Sequence, residues 1–151
     1  MARLETIDGG WLELTPTAYQ FETDRAEDTH DRNWLWVEFA AELGPQLQVK
    51  RRADPAFLTW ELVHLVEACR SIIPSELPTR VLDGLEPNLV IDVLDLGDEE
   101  YTLAVGAALS FAPHRREPFD QPFEARFQVR KRDLSAFVDQ LEGELRLFPP
   151  R

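Results

Sequence analysis

A single cysteine, Cys69, leaves no partner for an internal disulfide. No apolar run approaches the roughly 18 residues that a membrane span needs. There is no glycine-rich phosphate loop and no dinucleotide-binding glycine pattern. His30, His64 and His114 do not fall at zinc-ligand spacing. No serine stands in the strand-to-helix context of a nucleophile elbow. Positive charge is scarce: 16 Lys and Arg face 28 Asp and Glu, a formal charge of −12. The bases that occur, at Lys50–Arg52, Arg115–Arg116 and Arg130–Arg132, are not interleaved with aromatics as in a nucleic-acid surface. A chain so acidic repels nucleic acid and anionic membranes and draws cationic partners from a distance. The opening MARLETIDGG has no apolar stretch after its Arg, so no signal peptide is expected. The expectation is a soluble cytoplasmic protein with no cofactor and no metal.

What is present is enough for one core. The 151 residues fit a single domain, 1–151, with 44% hydrophobic residues. ETIDGGWLEL reads as a hairpin around Asp8-Gly9-Gly10, its second arm extended through Tyr19 and Phe21. NWLWVEFAAEL (33–43) alternates well, with Leu35, Val37, Phe39, Ala41 and Leu43 on one face and Trp34, Trp36, Glu38, Ala40 and Glu42 on the other. Gly44-Pro45 turns the chain into QLQVKR. Asp54-Pro55 then opens what reads as a helix running to Pro74, with Leu58, Leu62, Leu65, Cys69 and Ile72 as its stripe. Residues 75–84 read as a loop. NLVIDVLD, YTLAVGAALSF (101–111) and FEARFQVR read as further strands. A last helix, capped by Asp133, carries Leu134, Phe137, Val138, Leu141 and Leu145. Hairpins dominate, so the expected fold is α+β: one antiparallel sheet of about six strands under two amphipathic helices.

Reactive clusters are hard to find. Glu61 and His64 form a single Glu-x-x-His on a helix, a pair that di-iron bundles use twice, and it reads here as a polar flank. Cys69 lies on an apolar stripe and reads as packed and inert. In LEPNL (85–89), Pro87 pushes Glu86 towards extended dihedrals and Asn88 can close a turn on its own backbone. That accounts for the tripeptide without catalysis, with Glu86 free to pair with a Trp34 or Trp60 indole or a capping amide. The small side of strand 101–111, Ala104, Gly106 and Ala108, offers an alternative role as a groove for a small molecule or peptide. No acid–base pair can be placed, so an enzyme is not expected. A homodimer through an open sheet edge is compatible with any of these roles.

Acidic charge is concentrated in ETDRAEDTHDR (22–32) and DVLDLGDEE (92–100). Four motifs then fall in order: DRNWL (31–35), DPAFLTWEL (54–62), LEPNL (85–89) and FPPR (148–151). From about residue 10 to the end, the set resembles the WapI family of bacterial immunity proteins. The loops 22–32 and 112–122 have no counterpart motif, and Ala56-Phe57 replaces the usual apolar pair. The resemblance implies a small cytoplasmic protein that neutralises the toxic C-terminal domain of a polymorphic toxin. The family's namesake protects against a toxin that cleaves tRNA. On that implication the expected contact residues are Asp24, Glu27, Asp28 and Asp31, then Asp95, Asp98, Glu99 and Glu100, with Trp36 as the aromatic anchor. Asn33, Trp34, Asp54, Trp60, Glu61, Glu86, Pro87 and Asn88 carry the resemblance and read as structural.

Overall fold

A computed structural model describes residues 1–22, 28–45, 47–95, 97, 99–113 and 123–151. The described chain forms two antiparallel four-stranded sheets rather than one sheet of six strands. The first holds β1 (Ala2–Glu5), β2 (Trp11–Tyr19), β3 (Trp34–Leu43) and β4 (Leu47–Leu58) in sequence order. The second holds β5 (Thr79–Asp83), β6 (Leu89–Asp95), β7 (Glu100–Ala107) and β8 (Phe123–Arg130), also in sequence order. Three helices complete it: α1 (Thr29–Asn33), α2 (Thr59–Arg70) and α3 (Lys131–Leu145). Each sheet is a meander, as hairpin-rich sequence dictates. The sheets do not merge because β4 gives way to α2, and a 3-10 turn (Leu109–Phe111), not a strand, lies against β4.

One apolar cluster runs through both sheets and the two long helices. The alternation read from β3 holds for Leu35, Val37, Phe39 and Ala41, which are buried, and for Trp36 and Glu42, which are exposed; Ala40, expected on the outer face, is buried where the pairing with β4 shifts register between Phe39 and Ala41. Phe111 seals the seam between the sheets, its ring 5.1 Å from Phe39 and 6.4 Å from Phe57. Each such phenylalanine contributes roughly 1.5–3 kcal/mol through burial. Seating Phe111 there ends β7 at Ala107, so the expected strand 101–111 is shorter and finishes in the 3-10 turn.

The start of the first long helix is the largest local departure. Residues 54–58 are strand, and α2 begins at Thr59. Pro55 sits opposite Trp36 on an edge strand, where its missing N–H costs no interior ladder bond. Asp54 therefore caps nothing. Residues 79–83, expected as loop, form β5 against β6. Within the acidic loop, Thr29–Asn33 is helical. Asp133 is not the cap of α3 but lies in its first turn, 3.5 Å from Arg130 and 3.4 Å from Arg132.

Candidate partner-binding surface

The family-like motifs meet at the β4–α2 junction, residues 54–61. Helix α2 starts without a Ser, Thr, Asp or Asn cap, so its free amides need another acceptor. Glu61 supplies one: its Oε2 accepts from the Leu58 amide at 2.8 Å. Its other oxygen, Oε1, accepts from the Leu85 amide at 2.6 Å. The expected pairing of Glu86 with an indole is not what holds LEPNL. Glu61 anchors it, and Glu86 points to solvent. Asn88 is buried and closes the turn: its amide donates to Glu86 O at 2.7 Å and its carbonyl accepts from Ala108 at 3.0 Å. Gly84 makes this approach feasible, since a Cβ there would lie 3.0 Å from Phe57 Cε1.

Asp54 has a different task from the one its sequence context suggested. The Ser110 hydroxyl donates to Asp54 Oδ2 at 2.5 Å and lies 2.8 Å from Asn88 Oδ1. Arg52 donates to the carbonyls of Ser110 at 3.2 Å and Pro113 at 3.4 Å. This clasp ties β4, β6 and the 3-10 turn together. Its neighbour Leu109 has φ = +49°, alone among the described non-glycine residues in having a positive φ. Asn33, the head of NWL, is buried and receives the C-terminal motif: it donates to the Arg151 main-chain oxygen at 3.0 Å and accepts from the Arg151 amide at 2.8 Å. The Tyr19 hydroxyl donates to Pro149 O, and the Arg151 guanidinium stacks 3.5 Å over the Tyr19 ring.

The expected contact residues fall in three places. Asp28 and Asp31 flank the start of α1, at the N-terminal end of α2, where His30 stacks edge-on against Trp60 at 5.5 Å. Asp28 is exposed, and its carboxylate accepts from the Asp31 amide at 2.9 Å; that bond holds its pKa below the usual 3.8. Glu99 and Glu100 are exposed beyond the other end of α2, where Ser75 donates to Asp95 O at 2.9 Å. The twelve residues of α2, about 18 Å of helix at 1.5 Å per residue, separate the two groups. Trp36 faces outward from β3 and is 37% exposed. Asp95 is not a surface charge: it is 3% exposed, pairs with Lys131 at 3.2 Å and accepts from the Gly97 amide at 2.8 Å. Asp24, Glu27 and Asp98 lie outside the described residues.

Most described bases are already engaged. Arg3 and Arg51 grip the buried Glu13 at 2.8 and 2.6 Å, and Arg51 also holds Glu38. Arg70 bridges α2 to Asp139 and Glu142 on α3. Arg80 pairs with Asp83 and Asp92. The excess carboxylates, among them Asp28, Glu86, Glu99 and Glu100, therefore set the sign of the outer field. The small-residue side of β7 lies between charged neighbours: Ala104 stands opposite Asp92 and Arg126, and Gly106 opposite Glu124. Cys69 is buried, and desolvation raises its thiol to about 12. Sequence reasoning missed Leu85 and Leu109, both exposed at this junction. Leu85 carried a signal, an apolar residue immediately before a predicted turn; Leu109 carried none.

A family model, the immunity protein WapI-like family, matches residues 3–149. The chain belongs to that family. No curated protein and no solved structure gives a significant match. Membership makes this an immunity protein, and the family's resemblance motifs are the joints of its fold: Asn33 to Arg151, Glu61 to Leu85, and Asp54 through Ser110 to Asn88. Among the described residues, no helix is long and apolar enough to cross a membrane.

Proposed function

We propose that this chain binds a cognate toxin domain and neutralises it by covering a basic site with an acidic surface, acting as an inhibitor and performing no chemistry of its own. An RNA-cleaving nuclease is the toxin type that best suits such a surface, because a cleft that holds RNA must be basic. Membership of the immunity family, together with a net charge of −12 whose bases are largely consumed in ion pairs, carries the reading. Exposed Asp28, Glu99 and Glu100, with Asp31, supply the field, and Trp36 is an anchor. Asp24, Glu27 and Asp98 stay assigned as contact residues on the sequence alone. Asp95 is left out because Lys131 and burial occupy it.

Charge and contact do different work. Steering by opposite charge raises association to roughly 10⁸–10⁹ M⁻¹s⁻¹, against a neutral 10⁵–10⁶. A picomolar complex needs about −16 kcal/mol, and a solvated rim contributes little of that. Desolvated apolar anchors must provide slow release. The test is co-expression with the product of the adjacent upstream gene. Growth rescue and co-purification support the reading. Rescue without a complex, or a complex without rescue, refutes it.

A further inference from the structure

We infer that Asn33 and the FPPR segment, residues 148–151, are positioning residues: together they hold α1, and with it Asp28 and Asp31, in the pose that meets the toxin domain. The inference rests on the inhibitor reading above and adds what orders part of its acidic surface. A five-residue helix cannot hold itself, since isolated helices shorter than about 12–15 residues are marginal in water. Helix α1 buries only Asn33. Its carboxylates therefore stay in place through a few specific bonds rather than through a packed apolar face.

One side-chain amide gathers those bonds. Asn33 is 1% exposed. Its Nδ2 donates to Thr29 O at 2.7 Å, which ties the last residue of α1 to the first, and to Arg151 O at 3.0 Å. Its Oδ1 accepts from the Arg151 amide at 2.8 Å. Donor and acceptor thus meet the main chain of one residue, the two-point pairing that a strand would offer. The segment that supplies this main chain is stiff and anchored. It leaves α3 through the Phe148 amide, which donates to Leu145 O at 2.9 Å. The Phe148 ring stands edge-on to Tyr19 at 5.6 Å, and the Tyr19 hydroxyl donates to Pro149 O. Pro149 and Pro150 have a fixed φ, so seating Arg151 costs little conformational entropy. Pro149, Pro150 and Arg151 are exposed, so the apolar core does not depend on them. Without Arg151 the Asn33 amide loses the two bonds that fix its orientation, and the Thr29 bond goes with them. The Thr59 hydroxyl, which donates to Asn33 O at 3.2 Å, still holds the junction with β3 but not the turn that carries Asp28 and Asp31.

The test uses a chain ending at Phe148, which keeps that ring on Tyr19 and loses Pro149 to Arg151. Hydrogen exchange and thermal melting follow the fold, and stopped flow follows association with the product of the adjacent upstream gene. The shortened chain should keep the protection of its core while the Asp31 and Arg32 amides exchange about tenfold faster. Loss of Arg151 makes the chain more acidic, so charge steering alone would speed association. Positioning predicts the opposite, a fall of about threefold in low salt. Asp28→Asn with Asp31→Asn should slow association of the unshortened chain and cost the shortened one markedly less, because the segment acts through those carboxylates. Tyr19→Phe, which removes only the bond to Pro149, should move α1 exchange and association in the same direction by a smaller factor. Unchanged α1 exchange, faster association, equal effects of the Asp28/Asp31 change in both chains, or collapse of core protection on shortening overturns the inference while the inhibitor reading stands. A wild-type chain that does not bind overturns the inhibitor reading itself.

Discussion

Replacing Glu61 by alanine should cost about 2–4 kcal/mol of stability. The carboxylate accepts from the Leu58 amide at 2.8 Å and the Leu85 amide at 2.6 Å. Hydrogen bonds to charged groups contribute about 1.5–3 kcal/mol each. The two together sum to about 3–6 kcal/mol; Glu61 is half-buried and the Leu85 end is open to water, so the expected cost sits at the bottom of that range and somewhat below it. Glutamine keeps one acceptor oxygen and turns a donor towards the second amide, so Glu61→Gln should cost about 1–2 kcal/mol. Glu86→Ala, at the exposed tip of the same turn, should stay within about 0.5 kcal/mol of the wild type. For a chain of this size 1 kcal/mol moves Tm by about 2–4 °C, so Glu61→Ala should melt roughly 4–16 °C lower. Urea unfolding at constant slope measures all three variants. If Glu61→Ala falls within 0.5 kcal/mol of the wild type, or Glu86→Ala costs as much, Glu61 is not what holds LEPNL.

Three further perturbations probe other joints. Asp28 has a depressed pKa because it accepts from the Asp31 amide; a depressed carboxylate stabilises above its unfolded value and loses that contribution as pH falls through the folded value. Its NMR titration midpoint should therefore lie below 3.8, and Asp28→Asn should keep the cap without that acid dependence; a midpoint at or above 3.8 refutes the cap's role. Buried Glu13 is gripped by Arg3 and Arg51, so removing both arginines should cost about 3 kcal/mol by stranding a buried charge. Glu13→Ala should cost less, since the half-exposed guanidinium groups rehydrate; denaturant titration that reverses this order contradicts the account. A methyl added at Gly143 meets nothing within 4 Å, so Gly143→Ala should raise stability by about 1 kcal/mol, read by thermal melting.

What could be read from the sequence was whatever a local period or turn encodes. Strand β3 declared itself because Leu35, Val37, Phe39 and Ala41 alternate without a break. Helix α3 did so through its apolar stripe, and the first hairpin through Asp8-Gly9-Gly10. The beginning of α2 was misread because Asp54-Pro55 suits either a helix start or an edge strand. Pairing of Pro55 with Trp36, a tertiary fact, decides between them. Strand β5 is short and mostly exposed, so it carries little periodic signal. The splitting into two sheets depends on Phe111 closing the seam, which no local pattern shows.

The surface was legible only in part. Trp36 could be placed outward by alternation alone, and it is outward. Asp95 looked like one more carboxylate in an acidic turn; burial against Lys131, distant in sequence, removes it from the surface. The separation of Asp28 from Glu99 by the length of α2 is a property of packing. Leu109 has neither the glycine nor the asparagine that usually marks a left-handed position, so its strain becomes visible only in the folded chain.

The most direct measurement of the central claim is the salt dependence of association between this chain and its toxin domain, followed by stopped flow. An inhibitor steered by excess carboxylates and held by apolar anchors should associate at roughly 10⁸ M⁻¹s⁻¹ in low salt. At ~0.5 M salt, where the screening length falls to a few ångströms, that rate should drop at least tenfold while dissociation barely changes. An association rate indifferent to salt would contradict the account.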